Sequence, residues 1–132
     1  MEDNRLEQYV LGAMMVDSHC IPDVLDRLDV GAFELQMHQY IFSAIVHVYQ
    51  STGSAEPVLV AQYLKDNNNL NRIGGIVTIT DMVQSIVETS NLSHVVDAVY
   101  DRWIKRKIFL VGKKIESLVQ QQELSLSEML AA

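Results

Sequence analysis

The side chains that could do chemistry in this 132-residue chain are few and scattered. His19, His38, His47 and His94 are far apart, and none falls in an HExxH or comparable metal-ligand pattern. Cys20 is the one cysteine, so it has no partner for an intramolecular disulfide and no neighbours at zinc-ligand spacing. A reducing interior is the natural compartment for such a chain. Gly74-Gly75 leads into Ile76-Val77 without the lysine or the strand-turn-helix setting of a phosphate loop, and GxxxxGK followed by Ser or Thr occurs nowhere. No serine, cysteine or carboxylate pair lies in a recognisable catalytic motif. The expectation is therefore a domain whose surface binds proteins, with no catalytic, cofactor-binding or metal residues of its own.

Charge is the remaining chemical signal, and it is unevenly distributed. The formal net charge is -7. Residues 1–101 set 14 acidic side chains against Arg5, Arg27, Lys65 and Arg72, a net of −10, whereas residues 102–132 set Arg102, Lys105, Arg106, Lys107, Lys113 and Lys114 against three acids, a net of +3. The acidic whole disfavours binding to nucleic-acid phosphates. The basic run from Arg102 to Lys107 reads as a solvated or intersubunit helix face, as a surface for an acidic protein, or as a nucleic-acid patch, with the domain's overall charge weighing against the last.

The elements that would hold these residues are helices. Leu6, Val10, Leu11, Met14 and Met15 predict a helix over about 3 to 16, with Glu2, Asp3 and Glu7 where a helix N-terminus favours negative charge. Gly12 inside it costs roughly 1 kcal/mol relative to Ala, which points to a close helix crossing. Pro22 suits the first turn of a short helix carrying Val24, Leu25 and Leu28, and Gly31 follows as a turn. A third helix runs from about His38 to Tyr49, with His38 read as a cap or a satisfied core histidine. Pro57 opens a fourth, which Asn67-Asn68-Asn69 ends.

The stretch IVTITDMVQSIV has the β-branched content of a strand, yet Ile76, Ile79, Met82, Val83, Ile86 and Val87 fit helical spacing over its full length. It is read as a fifth helix. A sixth, from about Ser93 to Gln121, carries Val96, Val99, Trp103, Leu110 or Val111, Ile115 and Leu118. Roughly 29 residues make about 43 Å of helix, so its far half should project unless something packs on it. Leu124-Ser125 reads as a turn, and Ser125 or Ser127 as the N-cap of a returning helix that Ala132 cuts short. This organisation divides the chain into a globular head, 1–92, and a helical hairpin, 93–132, within what is expected to be a longer protein. The acidic start lacks the basic segment of a signal peptide, and no apolar run nears the roughly 20 residues of a membrane span, so the cytoplasm is the expected location.

The order of segments resembles one family. Glu7 followed by Val10-Leu11-Gly12-Ala13-Met14-Met15-Val16-Asp17 is similar to the opening E-x-x-(V/L)-L-G-(A/S)-(M/I)-(L/I/M)-x-(D/N) of DnaB-type replicative helicase N-terminal domains. Phe33, His38, Ile41-Phe42 and Ala44-Ile45 follow the family's D-F-Y-x-x-x-H-x-x-I-F-x-A-(I/M). Gly53, Pro57, Val58, Val60 and Leu64, then Leu70, Ile73-Gly74-Gly75, Asn91 and Lys105-Arg106-Lys107, continue the likeness over about residues 6 to 120. Leu59 and Ala61 replace the usual Asp and Thr, Gly31-Ala32 precedes Phe33 in place of an acid, Glu34 takes an aromatic's position, and Glu88-Thr89-Ser90 replaces Pro-Thr-Ala. Such departures fit a divergent or phage-encoded member.

The resemblance implies an all-α fold with a globular head of about five helices and a projecting hairpin. It also implies a role in a hexameric ring, in which these domains pair into a collar that receives the C-terminal domain of primase and, in some members, a helicase loader. ATP and Mg would belong to a separate RecA-like motor. Trp103, Lys107, Ile115, Leu118 and Val119 are the positions expected at a subunit or primase interface. Two other readings remain: a free-standing helical adaptor with no motor, and a small helical DNA-binding protein, which would need a recognition helix and a strongly basic face.

Overall fold

The computed structural model describes the backbone of residues 4–131 and the side chains of residues 4–122. Among the described residues there are six α-helices and no strand: α1 (Arg5–Val16), α2 (Ile21–Leu25), α3 (Gln36–Thr52), α4 (Pro57–Asp66), α5 (Ile76–Gln84) and α6 (Leu92–Ala131). The fold is all-α as the periodicity predicts. The chain separates into a unit through Tyr100 and a second unit from Asp101 onward.

α1 is the axis of the head. Val10, Leu11, Ala13 and Met14 are wholly buried, and Glu7 and Gly12 are buried with them, so nearly every side of the helix is covered. Its end is fixed at Asp17, whose carboxylate accepts from the His19 amide at 3.0 Å and turns the chain toward α2. α3 presents His38, Ile41, Phe42, Ala44, Ile45 and Val48 at helical spacing to the core. It stops at Gly53, which adopts φ 87° and donates its amide to Tyr49 O at 2.8 Å, a left-handed cap that a side chain would disfavour. His47 of α3 stacks on Tyr63 of α4 with ring centroids 4.1 Å apart.

The ambiguous segment after Gly75 is a helix. Ile79 and Met82 are buried, and Thr80 Oγ1 donates to Ile76 O at 3.1 Å, which satisfies its hydroxyl within the helix. Tertiary burial thus overrides the strand preference of Ile, Val and Thr. α5 ends at Gln84, short of the expected Val87; Ser85 Oγ caps Met82 O at 2.8 Å, and Val87 is 95% exposed. α5 comes close to α1 at Gly12. A Cβ there would stand 2.6 Å from Met82 O and 2.9 Å from Ile86 Cγ1, and the first of these is backbone that cannot swing aside. Packing is therefore the reason for this glycine.

One buried polar cluster joins α1 to the entry of α3. Glu7 Oε1 lies 2.7 Å from His38 Nδ1, and Glu7 Oε2 accepts the Glu34 amide at 2.9 Å. Burial opposes the charge on Glu7, but the bond from His38, the Glu34 amide, the charge of His38 and the Leu35 amide outweigh it, so the carboxyl is held below its ordinary value of 4.5. An ionised carboxylate only accepts, so Nδ1 carries the hydrogen. His38 is the core histidine that the sequence suggests, although its Nε2 has no hydrogen-bond partner among the described residues.

α6 begins in the head, where Leu92, Val96 and Val99 are buried. It then runs on without a break to Ala131, and the turn expected at Leu124-Ser125 does not form. Residues 113–131 contain neither Pro nor Gly, and a serine is tolerated inside a helix at a few tenths of a kcal/mol, so nothing local forces the chain to stop. The returning helix is accordingly not formed within the described residues.

Two outcomes follow from this packing. Gly12→Ala should lower stability by about 1–3 kcal/mol, the usual cost of overpacking, read as a reduced urea midpoint at constant m. Because the folded Glu7 carboxyl titrates below 4.5, its contribution is fully present above that pH and disappears as pH falls through the folded value. Urea titrations should therefore show Glu7→Gln losing less stability than the parent chain between pH 5 and the acid limit, while Glu7→Ala should cost about 3–5 kcal/mol at neutral pH. An identical acid dependence for parent and Glu7→Gln would remove Glu7 as the titrating group.

Candidate protein-docking face on the long helix

One polar cleft lies on the head. Asp17, His19, Cys20, Asp23 and Arg27 line a cleft with Ser90 and Ser93, yet Arg27 is spent on an ion pair with Asp97. Burial, with Asp17 nearby, pushes the Cys20 thiol up to about 11, and its Sγ donates to Asp17 O at 2.9 Å. Such a thiol is a poor nucleophile at neutral pH. No group of three or more His, Cys, Asp or Glu side chains among the described residues is placed to hold a metal.

Residues 101–122 of α6 offer a different kind of surface. Their helix is supported locally: Lys105 Nζ pairs with Asp101 at 2.9 Å, Lys107 Nζ lies 4.3 Å from the centre of the Trp103 ring, and Lys113 Nζ lies 5.5 Å from that of Phe109. Ile104, Ile108, Val111, Ile115 and Leu118 recur at spacings of four, three, four and three, which is the spacing of a coiled-coil seam. They form one continuous stripe along the helix. Ile108, Val111, Ile115 and Leu118 are each more than half exposed, at 65%, 57%, 56% and 55%. Ile104 is half-buried, so four large apolar side chains are left in water along one face.

The structure places the five expected interface positions as follows. Ile115 and Leu118 lie in the stripe and Val119 borders it, also exposed. Lys107 borders it on the other side, and with Ile104, Ile108, Val111, Gly112 and Ile115 it lines a shallow depression. Trp103 is half-buried beside Lys107, off the centre of the stripe. Ile104, Ile108 and Gly112 were not among the expected positions. Their signal was available in the four-three spacing, but it is hidden where the series is followed through Trp103 and Lys107, one residue out of step with the stripe.

Gly112 is unlike Gly12. No atom lies within 4 Å of the position its Cβ would take, so nothing in its own chain requires a glycine there. A glycine inside a helix costs roughly 1 kcal/mol relative to Ala. Gly112→Ala should therefore raise helicity and thermal stability of the isolated chain by about that amount, the opposite sign to Gly12→Ala. Circular-dichroism melts of the two variants check this, and a destabilised Gly112→Ala chain would show a hidden contact at that site.

Both units are helical, and the second carries an exposed apolar face among the described residues. The family model described as "DnaB-like helicase N terminal domain" matches residues 1–101, and the chain belongs to that family. The chain is 30% identical over 114 residues to "Replicative DNA helicase DnaB" of Mycobacterium leprae (strain TN), covering 86% of this chain and 19% of that protein. It is 23% identical over 112 residues to the protein of the same name from Synechocystis sp., covering 85% of this chain and 13% of that one. The chain thus spans less than a fifth of either relative. The crystal structure of the N-terminal domain of DnaB helicase from Mycobacterium tuberculosis is similar with a TM-score of 0.82 and 29% identity, over 88% of this chain and 81% of that one. Among the described residues, no helix is long and apolar enough to cross a membrane.

Proposed function

We propose that this chain serves a hexameric replicative DNA helicase as its assembly and docking domain, helping to build the ring's N-terminal collar and receiving the C-terminal domain of primase. The observation that carries the reading is the exposed stripe on α6, in a chain that belongs to the DnaB-like helicase N-terminal domain family. Burying a large aliphatic side chain stabilises a complex by about 1.5–3 kcal/mol before ordering costs, so the four exposed side chains of this face can support association. In this reading the domain contributes geometry and recruitment. Trp103, Lys107, Ile115, Leu118 and Val119 sit at or beside the surface that subunits or primase cover, and a helicase loader would use the same face. ATP and Mg belong to the motor of the helicase, and the acidic charge of the head keeps it off DNA phosphates.

Light scattering and a titration with the primase C-terminal domain from the same organism test the reading. Concentration-dependent association and saturable primase binding are expected, each weakened about tenfold or more by Leu118→Asp, because a buried carboxylate without a partner is costly. A chain that stays monomeric at high concentration and binds no primase would overturn it.

A further inference from the structure

Residues 85–91 join α5 to α6 within the unit that ends at Tyr100, and they are held differently from the helices on either side. Ser85, Val87, Glu88, Ser90 and Asn91 are exposed, and Ile86 and Thr89 are half-buried. Ile86 reaches the notch at Gly12, with its Cγ1 2.9 Å from the place a Cβ would take. The turns at its two ends are local, from the Ile86 amide to Val83 O at 3.2 Å and from the Leu92 amide to Thr89 O at 3.1 Å. Fixing a backbone costs entropy that burial normally offsets, and this segment buries little. One long-range polar bond ties it down: Tyr9 Oη on α1 donates to Glu88 O at 2.7 Å, across 79 positions of sequence.

We infer that residues 85–91 are a strap that opens as one unit while the helices stay folded, with Tyr9 as its latch. The flanking helices do not depend on the strap. α5 is held by buried Ile79 and Met82, and the first turns of α6 by buried Leu92, Val96 and Val99. Those turns have a clasp of their own, in which Arg27 pairs with Asp97 and donates to Ser93 O and Ser93 Oγ at 3.5 Å. Opening therefore gives up the Tyr9 bond and the Ile86 contact and leaves both helix anchors in place. Thr89 and Ser90 line the polar cleft together with Cys20, Val24 and Val96, so the closed strap supplies part of that cleft's wall and the open strap withdraws it. Regions that open on their own in this way combine exposed backbone with few buried apolar contacts.

Limited proteolysis of the full 132-residue chain with a glutamate-specific protease tests this, with cleavage of the bond after Glu88 followed by mass spectrometry. The parent chain is expected to be cut there slowly, at a rate that changes little up to about 2 M urea, because opening the strap exposes little surface. Cutting that required global unfolding would instead rise steeply with urea. Tyr9→Phe removes one hydroxyl and should raise the rate about threefold to tenfold, the effect of losing one hydrogen bond, while hydrogen exchange of the core amides of α1 and α3 keeps the parent's protection. Asp97→Asn breaks the clasp on α6 and should leave cleavage after Glu88 within about twofold of the parent, since an exposed ion pair that does not hold the strap contributes little to its closure. A parent chain uncut after Glu88, a urea dependence as steep as that of global unfolding, or equal rates for parent and Tyr9→Phe overturns the inference. So does an equal rise from Asp97→Asn, which would mean that the head loosens as a whole.

Discussion

The Glu7 carboxylate is the constraint from which the head is organised. It is buried on α1, and it meets the Glu34 amide and His38 Nδ1 at once, so it ties the start of α3 to α1. A buried carboxylate with one of those partners missing would be a large liability, since desolvation is the biggest single influence on it. On another side of α1, Gly12 admits α5 to within contact of the backbone. Two positions five residues apart on one helix thus set where its neighbours lie, one by hydrogen bonding and one by the absence of a side chain.

Around this frame the apolar residues behave as an ordinary core. Leu11, Met14, Ile21, Ile41, Ile45, Leu64, Ile73 and Ile79 are almost completely buried, and Phe33 meets Phe42 with ring centroids 4.8 Å apart. The first turns of α6 belong to the same core through Leu92, Val96 and Val99. Beyond Asp101, lysines laid over aromatic rings or paired with acid one turn away support the helix. Those contacts hold a helix together without hiding its apolar stripe. The unit through Tyr100 carries the buried core, and the unit from Asp101 onward carries the exposed apolar residues of α6.

Much of the architecture was legible in the chain. Helical periodicity, Pro22 and Pro57 at helix starts and the Gly53 and Asn67 stops are local signals, because the contacts that decide them lie three or four residues apart. The collinear segments shared with replicative helicases added the family. Ile115, Leu118 and Val119 were expected at a subunit or primase interface; the structure shows them exposed. What only folding decided involves residues far apart in sequence. Glu7 and His38 are 31 positions apart, and no spacing rule pairs them. Gly12 and Gly112 look alike as helix interruptions, yet one is packed against Met82 and the other faces open space. The strand-like IVTITDMVQ became a helix because burial of Ile79 and Met82 outweighs a local preference of a few tenths of a kcal/mol per residue. Local physics determined which segments would be helices; which of their faces would be covered, and which left exposed, depended on contacts that exist only once the helices are packed.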